Sequence, residues 1–201
     1  MVADGIYYAL GLGAGGLALT YFTAWPLALP LYLAALFCLY FFRDPEREIP
    51  DGPVAVSPAD GKIVAVKADA PGLTRISIFL NIFDVHVNRT PIAGRIAKVD
   101  YHKGEFLVAS RAEASIRNER NRVMVEGDGT RVEFTQIAGL IARRIVFRKN
   151  VGDTVSKGER IGLIKFGSRV DVVLGAEWDI AVQVGQRVSA ASSVLARRRT
   201  V

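Results

Sequence analysis

The chain has 201 residues, half of them hydrophobic, with 26 basic against 20 acidic side chains and a formal charge of +6. That hydrophobicity excludes a disordered chain. The lone Cys38 excludes a disulfide scaffold, and two histidines, His86 and His102, leave almost no room for a Cys/His zinc set. The averages hide a division. From Gly5 to Phe42 no residue is charged, whereas residues 43–201 carry 26 basic against 19 acidic side chains, or +7.

The uncharged stretch is too long for one straight helix across a bilayer, at about 57 Å against a hydrocarbon core of roughly 30 Å. Trp25-Pro26 and Pro30 supply a break, because proline lacks an N–H and disfavours helical geometry in the residue before it. The expectation is an apolar helical hairpin over residues 1–42, with arms at about 6–24 and 31–42. Two true spans, or a short re-entrant or interfacial second arm, both fit this pattern. A signal peptide would need a basic start, and no Lys or Arg precedes position 43. A buried soluble hairpin would need a polar stripe that neither arm has. Arg43 and Arg47 follow the hairpin, and the positive-inside tendency then puts the rest of the chain in the cytoplasm. Gly11, Gly13, Gly15 and Gly16 lack a preceding strand and a nearby lysine. They are read as small residues for close helix packing, not as a nucleotide loop.

Residues 43–53, RDPEREIPDGP, form a polar connector. Beyond it, over 54–201, the pattern becomes short strands. Residues 62–67 (KIVAVK), 74–80 (TRISIFL), 122–125, 130–136, 161–165 and 170–174 are β-rich, and Gly127-Asp128-Gly129 is a hairpin signal. Residues 105–118 are the one plausible helix. Residues 151–162 (VGDTVSKGERIG) and 184–195 (VGQRVSAASSVL) form a faint repeat resembling the hammerhead strands of biotinyl and lipoyl carrier domains, which is read as shared strand geometry. The fold class expected is mainly β, a sandwich or barrel-sandwich-like domain with little helix, preceded by the hairpin.

The scarce residues come next. Gly167-Ser168 is the only Gly-Ser step among 19 glycines, and it lies between two apolar strand-like runs. His86 sits among aliphatic neighbours, and Asp60 lies in a PADG turn. Each alone has an ordinary structural explanation. Together, SPADGKI (57–63), FDVHVNRTPIAG (83–94), NERN (118–121), IARRI (141–145) and KFGSRVD (165–171) resemble the phosphatidylserine decarboxylase family, in the short form of bacteria and archaea. The hairpin ending in FFRDP (41–45) fits too, so the resemblance spans nearly the whole chain.

The resemblance implies a proenzyme that breaks its own chain between Gly167 and Ser168. The Ser168 hydroxyl attacks the Gly167 carbonyl, the amide becomes an ester, and β-elimination releases the upstream chain. The residue left at 168 hydrolyses to a pyruvoyl cofactor. The products are a β chain of residues 1–167 and an α chain of 168–201, paired as a heterodimer, with self-association left open. No metal is implied. The pyruvoyl ketone condenses with the substrate amine as a Schiff base and acts as an electron sink for decarboxylation of phosphatidylserine to the ethanolamine lipid. A serine hydroxyl needs a base, for which His86 is first choice and His102 the fallback, with Asp60 as the orienting acid. Many longer members carry a second histidine where this chain has Arg89, so His86 either serves both steps or has another group beside it.

The basic excess suits an anionic head group. Arg143 and Arg144, with Arg148 and Lys149, form the densest internal basic cluster and are the candidate phosphate contacts. Arg197–Arg199 suit anionic lipid. No nucleic-acid motif accompanies the charge. The partners expected are a phospholipid substrate and the cytoplasmic face of the plasma membrane. The competing readings are a non-enzymatic, membrane-tethered barrel-sandwich adaptor and a decarboxylase of an archaeal ether-linked serine lipid.

Overall fold

The computed structural model describes residues 2–104, 118–139, 144–165 and 168–199. The chain divides into two compact units, Met1–Glu46 and Arg47–Val201.

The first unit is a helical hairpin of α1 (Ala3–Phe22) and α2 (Trp25–Phe41). The break is shorter than the prolines suggest. Pro26 falls at the second position of α2, where its missing N–H would have had no partner. Pro30 lies inside α2 and removes only the bond that the Pro26 carbonyl would have accepted. Of Gly11, Gly13, Gly15 and Gly16, the last does the close packing: a Cβ there would meet the Tyr32 ring at 2.7 Å, while Gly11 and Gly13 face open space. Thr20 ties the same level, its hydroxyl 3.2 Å from that of Tyr32. Large apolar side chains cover the outside, including Leu17, Tyr21, Phe22, Trp25 and Leu36, all exposed. No helix among the described residues is long and apolar enough to cross a membrane. The 17 residues of α2 reach only about 26 Å, and α1 is diluted by five glycines, three tyrosines and Asp4.

The second unit is all β among its described residues. Its strands are β1 (Val54–Val56), β2 (Gly61–Ala70), β3 (Leu73–Leu80), β4 (Val87–Arg89), β5 (Gly94–His102), β6 (Arg120–Gly127) and β7 (Thr130–Ala138). They continue as β8 (Arg144–Phe147), β9 (Thr154–Val155), β10 (Arg160–Lys165), β11 (Ser168–Leu174), β12 (Trp178–Ile180), β13 (Arg187–Val188) and β14 (Val194–Arg198). Eight of them form one antiparallel sheet in the order β13-β2-β3-β11-β7-β6-β5-β9, beside two three-stranded sheets, β4-β10-β8 and β1-β14-β12. The mainly β fold expected from the strand pattern is present. The expected helix at 105–118 lies outside the described residues except for Asn118, which makes a single bridge.

Alternation explains the large sheet. Ile76, Ile78 and Leu80 of β3, Val170, Val172 and Leu174 of β11, and Val132 and Phe134 of β7 all turn to one core. The β6–β7 hairpin closes on Asp128-Gly129, whose φ angles of 49° and 69° are those of a two-residue turn that matches the strand twist. The chain passes from β10, the middle strand of one sheet, to β11, an interior strand of another, across residues 166 and 167 alone.

Gly162 keeps the small sheet narrow. An added Cβ would sit 2.0 Å from the Val146 carbonyl oxygen on β8. Gly162→Ala is therefore expected to destabilise the unit by about 3 kcal/mol, lowering the melting temperature by roughly 6–12 °C in a domain of this size. Thermal unfolding followed by circular dichroism checks this. An unchanged transition would mean that the β8 backbone moves aside freely.

Candidate active site

Ser168 opens β11 and is fully buried. It pairs with Leu80 of β3 on one side and Ala138 of β7 on the other, so its side chain lies on the core face with theirs. Among the described residues its Oγ has no hydrogen-bond partner. Native interiors rarely leave a hydroxyl in that state. Gly167 itself lies outside the described residues.

His86 is buried and enters β4 from a pinned turn. Asn81 Oδ1 accepts from the Phe83 N–H at 2.7 Å, and Asp84 Oδ2 accepts from the Asn81 N–H at 2.9 Å. Asp84 Oδ1 pairs with Arg187. The turn leaves Phe83 63% exposed at its tip. His86 Nδ1 lies 2.9 Å from the Asp84 carbonyl oxygen. A carbonyl only accepts, so Nδ1 is the donor here, and in the neutral form of the ring the lone pair is then on Nε2. The His86 carbonyl accepts from the Ile164 N–H at 3.2 Å, which fixes the residue against β10 just before the junction to Ser168.

Asp60 is held elsewhere. Both its oxygens accept from Arg47 Nη2, at 3.0 and 2.8 Å, and Oδ1 accepts from the Ala190 N–H at 2.7 Å. Arg47, expected among the membrane-flanking charges, is thus engaged inside the β unit. His102 ends β5 on the sheet face opposite to Ser168: its row runs through Arg120 and Ile137 to Arg169. It is largely solvated, with Nδ1 3.7 Å from Asp100 Oδ1. Arg89 donates to the Gly158 carbonyl at 3.2 Å. Arg143 lies outside the described residues. Arg144 is exposed and stands opposite Lys165 at the start of β8.

The NERN segment explains itself as a brace. Asn118 Nδ2 donates to the Ala138 carbonyl at 2.7 Å, and the Ala138 N–H donates to the Glu119 carbonyl at 3.0 Å. Ala138 is the strand neighbour of Ser168, so NERN fixes the strand beside that serine. Glu119 also accepts from the Ile145 N–H at 3.3 Å. The Tyr101 phenol is pushed up to about 12, first by lost solvent and then by its hydrogen bond to Glu119, so it stays protonated as a donor. Asn121 Nδ2 donates to Gln136 Oε1 at 3.0 Å, and Gln136 Nε2 donates to Asn88 Oδ1 at 2.9 Å. Residue-type reasoning did not single out Gln136, and it named Asn121 only as part of NERN. The signal was a polar side chain on the apolar phase of a strand: Gln136 follows Val132 and Phe134, and Asn121 precedes Val123 and Val125.

A buried serine and a buried, oriented histidine lie at the β10–β11 junction, and both are residue types that acyl chemistry can use. The family model described as phosphatidylserine decarboxylase matches residues 34–196. The phosphatidylserine decarboxylase proenzyme of Solibacter usitatus is 69% identical over 199 residues, covering 98% of this chain and 97% of its own. That of Erythrobacter litoralis is 49% identical over 215 residues, covering 96% and 86%. That of Syntrophus aciditrophicus is 43% identical over 202 residues, covering 96% and 94%. With a family model over most of the chain and relatives matched over nearly their whole length, the chain belongs to the phosphatidylserine decarboxylase family.

Proposed function

We propose that the chain is a self-processing proenzyme that cleaves itself between Gly167 and Ser168 and then decarboxylates phosphatidylserine to phosphatidylethanolamine. The observation that carries this reading is the Ser168 hydroxyl, buried and without a hydrogen-bond partner among the described residues, at the junction of two interior strands. His86, through Nε2, takes the hydroxyl proton. Oγ adds to the Gly167 carbonyl and the C–N bond breaks, leaving an ester. Loss of the Ser168 α-proton then expels the Gly167 carboxylate, and hydrolysis of the remaining dehydroalanine gives ammonia and a pyruvoyl group at 168.

The residues present fit that group. Its carbonyls would lie at the head of β11, held by the β3 and β7 ladders. The pyruvoyl group supplies an electron sink for the pair left behind as CO₂ departs. His86 delivers the proton that replaces the carboxylate. Arg144 and Arg143 serve the phosphate. Asp60 is assigned the acid that orients His86. Its carboxylate is turned to Arg47 and Ala190 here, so that role requires an exchange of partners.

The two chains would stay together without a covalent link. Residues 168–201 contribute β11 between β3 and β7, β13 beside β2 and β14 beside β1. The hairpin is assigned to the bilayer as an interfacial or re-entrant anchor, which its exposed aromatic and leucine side chains and the short α2 support. The plasma membrane, with the β unit on the cytoplasmic side, is the location that goes with this anchor.

Intact-mass measurement of the purified protein is expected to find a C-terminal fragment of 34 residues, 168–201, with an N-terminus blocked to Edman degradation. A chain that stays whole through expression and storage would favour the adaptor reading and end this one.

A further inference from the structure

We propose that Asn88, Gln136 and Asn121 form a buried amide relay that binds the serine head group of the substrate; this rests on Ser168 and His86 being the active site. The three side chains run head to tail. Asn121 donates to Gln136 at 3.0 Å, Gln136 donates to Asn88 at 2.9 Å, and all three are buried. The relay ends unfinished. Among the described residues, Asn88 Nδ2 and Asn121 Oδ1 are buried and have no hydrogen-bond partner. An interior amide normally completes its bonds, and a half-satisfied network marks a place where a further group is expected.

Position says which group. Gln136 lies opposite Val170, and Ala138 lies opposite Ser168, so Gln136 and Ser168 are diagonal neighbours on one face of the sheet. Such neighbours stand about 7–8 Å apart, within reach of long side chains. Asn121 lies directly opposite Gln136 on the next strand. Asn88 lies two residues beyond His86, so along an extended run it shares that residue's face. Arg89, at the position that departs from the longer members, is bonded to Gly158. Three adjoining strands, β11, β7 and β6, each bring one polar side chain, Ser168, Gln136 and Asn121, to the apolar phase of the same sheet.

The chemistry of the open ends matches an amino acid. One end offers an N–H to a carboxylate, and the other offers a carbonyl oxygen to an amine. Turning all three amides over reverses the direction but still leaves one open donor and one open acceptor. A neutral donor is also the right kind for a carboxylate about to leave as CO₂. A guanidinium at that point would stabilise the bound carboxylate more than the transition state in which its charge departs, which raises the barrier.

The test uses the full-length protein in detergent micelles, with serine phospholipid as substrate and ethanolamine phospholipid as product inhibitor. Asn88→Asp keeps the oxygen that accepts from Gln136 and replaces only the open donor, now with a carboxylate. The KM for the serine lipid is expected to rise tenfold or more with kcat changed much less, while the inhibition constant of the ethanolamine lipid stays within about twofold, the signature of lost ground-state binding to the carboxylate. Asn121→Ala is expected to raise both constants together, because both lipids present the amine. The two variants exchanging these patterns would place the donor at Asn121 and support the relay equally. The proposal is overturned if neither variant separates the two lipids, as a purely structural strut requires, or if Asn88→Asp leaves the KM within twofold. Should Asn88→Asp fail to mature, Asn88→Ser is read by the same two constants. Chain cleavage of the unaltered protein, followed on the same gels, reports separately on Ser168: an uncleaved parent defeats the active-site reading, and a cleaved parent with flat constants defeats only the relay.

Discussion

Ser168→Ala is expected to give one unbroken polypeptide with no decarboxylase activity. In the proposed mechanism the Ser168 hydroxyl receives the Gly167 acyl group, so without it no ester forms and nothing can be eliminated. The expected loss is on the order of 10⁴-fold or more, the scale of removing a nucleophile from a site whose parts act as a unit. The fold should not suffer. Oγ is buried and makes no bond among the described residues, and deleting an unsatisfied buried hydroxyl is close to neutral. Circular dichroism of the variant should therefore keep the β-sheet spectrum while the gel shows a single band. A processed or active Ser168→Ala protein would remove the serine from the mechanism.

The strands that carry this serine were legible because they are long and alternate. TRISIFL (74–80) and VDVVL (170–174) place an aliphatic residue at every second position, and both lie within the largest sheet, where the second strand begins two residues earlier than expected, at Ser168. The Asp128-Gly129 turn was legible because only a few residues accept two positive φ angles in succession. Strand β5 was not read from the sequence, for a physical reason: its pairing with β6 shifts between Ile96 and Lys98, and such a bulge breaks the period of two on which the reading depends. Strands of two or three residues, such as β4, β9 and β13, have no period to find. The site divides the same way. A Gly-Ser step that occurs once is conspicuous by scarcity. The Arg47–Asp60 pair has no local signature, since it joins a connector to a turn 13 positions away and is completed by a backbone N–H from Ala190. The polar members of β6 and β7 were hidden by the habit of reading polar strand residues as solvent-facing. Their phase, in step with Val123 and Phe134, shows the opposite.

His86→Ala is expected to slow chain cleavage by at least about 10²-fold, the lower bound for losing a positioned general base, and to slow decarboxylation comparably in whatever fraction matures. The argument rests on orientation. The Asp84 carbonyl fixes the proton on Nδ1 and so directs the basic Nε2 lone pair away from the turn. The turn cannot swing, because Asn81 and Arg187 both hold Asp84. Asp60→Asn sharpens the result. The amide keeps an oxygen for the Ala190 N–H but cannot offer Arg47 a full charge. If Asp60 acts on the base, its variant should lose cleavage rate alongside His86→Ala. If Asp60 only ties Arg47 and Ala190 together, the variant should cleave at the parental rate and melt earlier. Time courses of cleavage for the two variants, read beside their melting temperatures, decide between a catalytic acid and a strut. Parental cleavage in His86→Ala would take the histidine out of proenzyme maturation altogether, because His102, the other histidine of the chain, lies on the opposite face of the sheet.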